Sequence, residues 1–220
     1  MRVLLTAIIL IAGIFTAYYM TKASQERKSL PVIQPRDVNA EMLNPELAHI
    51  GIGHRIGEFK LRNQNGEEIT LKDVRNKIFV AEYFFTTCPT ICPIMTEEMK
   101  RVQQRFKGNN EVKILSFTVN PEHDSVEVMK AYAEEHGAVD GQWHFLTGTK
   151  EDLYHLARNS FFVLKPAEAK NLGDAGSDFI HTNNFVLVDT ELRIRGYYDG
   201  TSKEEVDILM DDIELLLNEK

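Results

Sequence analysis

The run Ile78-Phe-Val-Ala-Glu-Tyr-Phe-Phe-Thr-Thr-Cys88-Pro-Thr-Ile-Cys92-Pro-Ile-Met95-Thr-Glu-Glu-Met99 decides how this chain folds. Ile78 to Phe85 is apolar except for Glu82, the mark of a central strand covered on both faces. Beyond the cysteines, Met95, Met99, Val102 and Phe106 recur at steps of four, three and four, which is one face of a helix. The two methionines read as core residues of that face, not as metal ligands. Pro93 suits the first helical position, which makes Cys92 the expected cap. Unpaired backbone N–H groups and the positive end of the helix dipole then lie beside the sulfurs and favour thiolate over thiol. Glu82 and Glu97 are expected to be solvated.

Working outward, Phe59 to Arg62 and Ile69 to Leu71 flank Asn65-Gly66, a hairpin signal. Val112 to Val119 is a second buried strand. Asp124 with Glu127 has the capping-box spacing for a helix that stops before Gly137. Trp143 to Leu146 is a short strand, and Thr149 with Asp152 caps a helix carrying Leu153, Leu156 and Ala157. Phe185 to Val188 and Leu192 to Tyr198 form a second hairpin. Ser202 with Glu205 caps a last helix whose Val206, Leu209, Ile213, Leu216 and Leu217 face inward. Alternating β and α elements that end in an antiparallel hairpin and helix make an α/β, thioredoxin-like plan: a central sheet, flanking helices and an N-terminal hairpin. Between Lys165 and Ile180 lies a long stretch without periodicity, the kind of loop that is functional or mobile, and it ends at His181.

Val3 to Met20 is 18 residues without a charge, longer than the usual apolar segment of a cleaved signal peptide, and is expected to be one transmembrane helix. Residues 24–50 are polar with Pro31, Pro35 and Pro45 and read as a linker. The expected organisation is an anchor over 1–23, a linker over 24–50 and one folded domain over 51–220, attached to a bacterial inner membrane. A formal charge of −8, with no basic run longer than two residues, argues against nucleic acid as a partner.

Cys88 and Cys92 are the whole cysteine complement, so a multi-disulfide scaffold is excluded. A purely structural bridge across so small a loop removes little unfolded-state entropy. Three residues separate the thiols where a redox motif of the thioredoxin type has two. Paired thiolates are soft ligands that select Cu(I) or zinc, and a structural zinc site needs four protein ligands, which this chain lacks cysteines to supply. The same thiolates serve redox work equally well. A third ligand has to come from His49, His54, His123, His136, His144, His155 or His181. His181 is the best placed, between the long loop and the Phe185 strand. His123, just past the Val112–Val119 strand, is next.

Cys88-Pro-Thr-Ile-Cys92-Pro93 after Phe84-Phe-Thr-Thr87, Phe179-Ile-His181-Thr182 ahead of Phe185-Val-Leu-Val-Asp189, and Val119-Asn-Pro-Glu-His-Asp124 together resemble the Sco/SenC family of copper chaperones for cytochrome c oxidase, over about Gly51 to Lys220. The resemblance implies a thioredoxin fold binding copper, as Cu(I) or Cu(II), through Cys88, Cys92 and His181. It also implies a partner, subunit II of cytochrome c oxidase or a similar copper-site protein, whose dinuclear copper centre it helps to build. The domain is then expected to face the periplasm. Many relatives carry Asp where this chain has Asn120, and Arg where it has His123. The chain thus reads as a metallochaperone rather than an enzyme. The alternative is a thiol–disulfide reductase using Cys88 and Cys92 on the cysteines of the oxidase copper site. Against it, thioredoxin-type oxidoreductases resemble one another in a cis-proline ahead of the strand facing their cysteines, and Ile180-His-Thr-Asn183 has no proline. A peroxidase of the peroxiredoxin type fares worse, because its threonine three residues before the reactive cysteine is Phe85 here.

Overall fold

The computed structural model describes residues 11–18, 29–39, 52–163 and 182–219. The chain divides into two compact units, residues 1–30 and 31–220. In the first, residues 11–18 are helical, and no helix among the described residues is long and apolar enough to cross a membrane. The rest of the Val3–Met20 run expected to span the bilayer lies outside the described residues.

The second unit is built on a five-stranded sheet whose centre is the strand expected from Ile78 to Phe85. In chain order the elements are β1 (Lys60–Arg62), β2 (Glu68–Thr70), α1 (Leu71–Val74), β3 (Ile78–Phe84), α2 (Ile91–Arg105), β4 (Val112–Thr118), α3 (Val126–Glu135), β5 (Trp143–Leu146), α4 (Lys150–Asn159), β6 (Asn184–Val188), β7 (Ile194–Asp199) and α5 (Lys203–Asn218). The sheet order is β5-β4-β3-β6-β7, with β3, β4 and β5 parallel and β6 and β7 antiparallel, while β1 and β2 form a separate hairpin. This is the α/β plan expected from the sequence, with the short α1 added. Gly66 closes the first hairpin at φ 75°, a left-handed backbone that a side chain disfavours.

Every residue of β3 is buried because helices and hairpin cover both of its faces. Phe79, Ala81 and Tyr83 join the core formed with the β1–β2 hairpin, α4 and Phe161 to Val163. The alternate residues meet the other layer, where the Phe84 ring packs 5.3 Å from Phe145 and 5.5 Å from Tyr132 of α3. Such ring pairs contribute roughly 0.5–1.5 kcal/mol each beyond the area they bury. Met95, Met99 and Val102 of α2 and Val206, Leu209, Ile213 and Leu216 of α5 are buried, as their helical spacing predicts. Thr149 and Ser202 cap α4 and α5 as expected, each accepting the backbone N–H three residues on.

Two caps differ from expectation. The first residue of α2 is Ile91 and its N-cap is Thr90, so Cys92 and Pro93 both sit inside the first turn. There the proline still sacrifices no helical hydrogen bond. Ser125, not Asp124, caps α3 through Val128 N, because Asp124 is drawn into the interior by other partners.

Residues 31–38, inside the stretch read as a linker, lie along the outer edge strand β7. Ile33 N donates to Ile194 O at 2.8 Å, and the buried Arg195 donates to Pro31 O at 3.1 Å and to Asp189 Oδ2 at 2.9 Å. Gln34 Oε1 accepts from Gly53 N at 2.8 Å and His54 N at 3.2 Å, and the buried His54 ring bonds Ser160 O at 2.8 Å. The segment covers a sheet edge that is otherwise open to pairing with another chain. Replacing Gln34 by Ala strands two N–H donors and is expected to cost about 1–3 kcal/mol in urea unfolding. Faster amide exchange at Gly53 and His54 is the accompanying sign, and unchanged exchange there contradicts the assignment.

Candidate metal centre

The cysteine loop leaves the carboxyl end of β3 and enters α2, so both thiols are built on the rigid centre of the sheet. Cys88 and Cys92 are free and buried, at 6% and 3% exposure, beneath a rim of exposed Pro89, Pro93 and Ile94. With Thr90 as the cap, the amides of the first turn point at one sulfur. Burial pushes the Cys88 thiol up. Hydrogen bonds from the Cys92 thiol, from the N–H groups of Thr90 and Cys92 and from the Thr90 hydroxyl outweigh it and bring it below the ordinary cysteine value. The Thr90 Oγ1 lies 3.7 Å from the sulfur. Cys92 goes the other way. Burial, the hydrogen bond it gives to Cys88 and the negative charges of Cys88 and Glu82 raise it well above the ordinary value, against one N–H from Phe85. Two thiols four positions apart are thus shifted in opposite directions, Cys88 down and Cys92 up.

A single buried carboxylate holds this loop in place. Asp124, with no exposed surface, accepts from the Thr86 backbone N at 3.2 Å, from the Thr86 hydroxyl and from the Thr118 hydroxyl. The neighbouring His123 ring reaches the same carboxylate through Nδ1 at 3.2 Å. Val119 N to Phe84 O at 2.8 Å fastens the two strand ends to each other. The charged group therefore ties the end of β4 to the residue two places before Cys88.

Behind Cys92 the interior is polar where the strand pattern predicts hydrocarbon. Glu82, expected to be solvated, is 2% exposed, because β3 lies at the middle of the sheet with no water on either side. Its cross-strand partner Ser116 donates to Oε1 at 2.5 Å, and Trp143 Nε1 donates to Ser116 Oγ at 2.8 Å. Burial, only partly offset by Ser116, raises the Glu82 carboxyl to about 7. Thr96 Oγ1 donates to Cys92 O at 2.8 Å and meets the Tyr132 hydroxyl at 2.8 Å.

His181, the expected third ligand, lies outside the described residues, as do the whole Lys165–Ile180 loop and His49. Topology bears on it only through its neighbours: β6 runs antiparallel to β3 with Ala81 opposite Val186. Asn184, the first residue of β6, therefore lies toward the end of β3 from which the cysteine loop departs. Among the other histidines, His123 is tied to the loop through Asp124. His54 is buried against Ser160, His136 packs on Tyr132 and His144 sits beside Asn63. Among the described residues no group of three His, Cys, Asp or Glu side chains is arranged to hold a metal. Cys88 and Cys92 supply two soft donors.

With this geometry in hand, residues 50–218 match the model of the SCO1/SenC family. The chain belongs to the SCO1/SenC family. It is similar to a SCO1 protein homolog of Bacillus subtilis, 30% identical over 164 residues that make up 74% of this chain and 82% of that one. It spans about half, 56%, of the mitochondrial SCO1 homologue of mouse, at 29% identity over 73% of this chain. Among solved structures it resembles BsSco, described as carrying a disulfide switch and as a member of the Sco family of cytochrome c oxidase assembly proteins. There the TM-score is 0.64 at 29% identity, over 77% of this chain and 96% of that one. It also resembles Arabidopsis thaliana ScoI with copper bound, with a TM-score of 0.57 at 25% identity, over 74% of this chain and 98% of that one.

Glu82, Thr86 and Asp124 escape a reading of the sequence. One signal was present: an ionisable residue at the centre of an apolar strand is buried unless the sheet is exposed there. Replacing Asp124 by Ala leaves the Thr86 N–H and two hydroxyls without an acceptor, with an expected loss of about 3 kcal/mol or more. The loosened loop also releases the amides aimed at Cys88. Its alkylation by iodoacetamide at neutral pH is expected to slow as its titration moves up. An alkylation profile identical to that of the wild type counts against the clamp.

Proposed function

We propose that this chain is a copper metallochaperone that holds copper through Cys88, Cys92 and His181 and delivers it to a copper-site protein such as subunit II of cytochrome c oxidase. The observation that carries this reading is the pair of sulfurs at the first turn of α2, one of them drawn toward thiolate by backbone amides. Soft sulfur donors of this kind match Cu(I) far better than hard cations, and two of them leave a low-coordinate site from which a partner's thiols can take the metal by ligand exchange. Membership of the SCO1/SenC family and the copper-bound Arabidopsis relative support the choice of metal. The assembly role attributed to BsSco supports the choice of partner.

In this reading residues 1–23 anchor the chain in a bacterial inner membrane, residues 24–50 connect the anchor to the domain, and residues 51–220 form the copper-binding domain on the periplasmic side. The apolar Val3–Met20 run supports the anchor.

A second reading is favoured by a specific observation, the opposite shifts of the two thiols. A cysteine drawn toward thiolate beside one that holds its proton suits a thiol–disulfide reductase acting on the cysteines of a copper site. The two activities use the same sulfurs and are compatible.

Anaerobic competition of the reduced protein against a coloured Cu(I) chelator tests the first reading. Wild type is expected to hold one Cu(I), and Cys88→Ser, Cys92→Ser and His181→Ala each to weaken it by more than about tenfold. Equal competition by all four proteins removes the claim.

A further inference from the structure

The β1–β2 hairpin is fastened to the edge strand β5 in two different ways. At its base the fastening is backbone: Arg62 N donates to Thr147 O at 2.9 Å, and Thr147 N donates to Arg62 O at 2.8 Å. At its tip, side chains do the work. The buried Gln64 amide takes the place of a neighbouring strand, accepting from Phe145 N at 2.9 Å and donating to Trp143 O at 2.9 Å. Asn65 Nδ2 donates to Asp140 Oδ1 at 2.9 Å. Between the two residues that Gln64 engages lies His144, half-buried, with Nδ1 at 3.4 Å from Asn63 Nδ2.

The partners of Asn63 fix which state of that ring fits. Asn63 is 1% exposed, and its Oδ1 accepts from Asn65 N at 3.0 Å and from Glu67 N at 2.9 Å. Its Nδ2 therefore faces His144 and also donates to Glu67 Oε2 at 2.8 Å. Turning the amide over sets its amino group against two N–H donors. Because Nδ2 can only donate, His144 Nδ1 has to accept, and the ring is the neutral tautomer with its proton on Nε2. A second proton, on Nδ1, sets donor against donor inside the fold. Among the described residues, the charged groups around the ring are Lys113 of β4, Glu67 of the hairpin tip, Asp73 of α1 and Asp140 ahead of β5. Burial, and after it Lys113, hold the ring below the ordinary histidine value against the pull of the three carboxylates. The stability this contributes is complete above the unfolded histidine value and is lost as pH falls through the lower folded one.

We propose that the hairpin tip is a pH-operated latch: neutral His144 holds Asn63, and with it residues 63–67, on β5, and the imidazolium releases them. The imidazolium needs an acceptor, and the carboxylate within the tip is Glu67, whose Oε2 is also the acceptor for Asn63 Nδ2. Asn63 then loses both partners of its amino group. The Arg62–Thr147 bridge does not titrate and serves as the hinge, and Phe59, packed edge-on at 6.1 Å from Phe117, keeps the body of the hairpin on the core. Gln64, the next residue, moves away with Asn63 and uncovers Phe145 N and Trp143 O, backbone groups that an added strand can pair with. The latch uses neither cysteine and is independent of copper.

Amide hydrogen exchange of the full chain, read as protection factors at about pH 7.5 and about pH 5, tests the latch. Protection of the Asn65, Glu67 and Phe145 amides is expected to fall at least about tenfold on acidification, while that of Arg62 and Thr147 changes less than about twofold. His144→Asn puts an amide oxygen where Nδ1 lies, accepts from Asn63 at both pH values and is expected to abolish the fall. Asn63→Asp provides an independent arm. It keeps an oxygen for the two backbone N–H groups and turns a carboxylate oxygen toward Nδ1, which favours the imidazolium. Protection at the tip is then expected to rise on acidification, and the His144 ring titration, followed by NMR, to move above that of the wild type. Equal tip protection at both pH values in the wild type, or a fall that Arg62 and Thr147 share, overturns the proposal. So does the same fall in His144→Asn, or an unmoved His144 titration in Asn63→Asp.

Discussion

The site depends on the short loop between β3 and α2 being held where the first amides of the helix meet the Cys88 sulfur. Helix N-termini are everywhere in α/β proteins, but their donors act on a thiol only when the chain before the helix is fixed. Asp124 does that fixing from a different strand end, with a carboxylate that takes the Thr86 N–H and the hydroxyls of Thr86 and Thr118. Because the clamp ties β3 to β4 and both are buried in the sheet, the loop inherits the rigidity of the core. A metal site or an exchange site needs this, since sulfurs must be placed before they can share an ion or a bond.

The two sulfurs are then divided by depth. Cys88 sits among donors and is drawn toward thiolate, and Cys92, held up by burial and by the hydrogen bond it gives to Cys88, keeps its proton. This asymmetry links the two activities considered. A thiolate that opens the exchange of disulfides also makes the first bond to an arriving soft metal, and in either case the inner thiol must lose its proton before the second bond forms. Exposed Pro89, Pro93 and Ile94 flank the two buried sulfurs.

Much of this was legible in the chain. The apolar run Ile78–Phe85 is a central strand because nothing else tolerates so little polarity, and the spacing of Met95, Met99 and Val102 puts α2 on the sheet. The cysteine motif therefore stood correctly between a buried strand and a helix. What escaped is set by tertiary competition. Asp124 had the spacing of a cap, yet three donors converge on it from elsewhere and Ser125 takes the cap. Pro93 marked a first turn but not which of its positions it occupied, since a proline is tolerated at each. Glu82 was read by its charge, whereas its place at the centre of a covered sheet decides its environment. Residues 31–38 carry no periodicity, so the bonds of Ile33, Gln34 and Pro31 to β7 and its neighbours left no trace in the sequence pattern.

The convergence of both sulfurs and a distant imidazole on one ion is the claim on which the functional account stands, and X-ray absorption at the copper edge of the Cu(I)-loaded protein reads it directly. The account predicts a first shell of two sulfurs and one nitrogen. The nitrogen is lost in His181→Ala, and one sulfur is lost in each of Cys88→Ser and Cys92→Ser. A nitrogen shell that survives His181→Ala, or a shell without sulfur in the wild type, contradicts it.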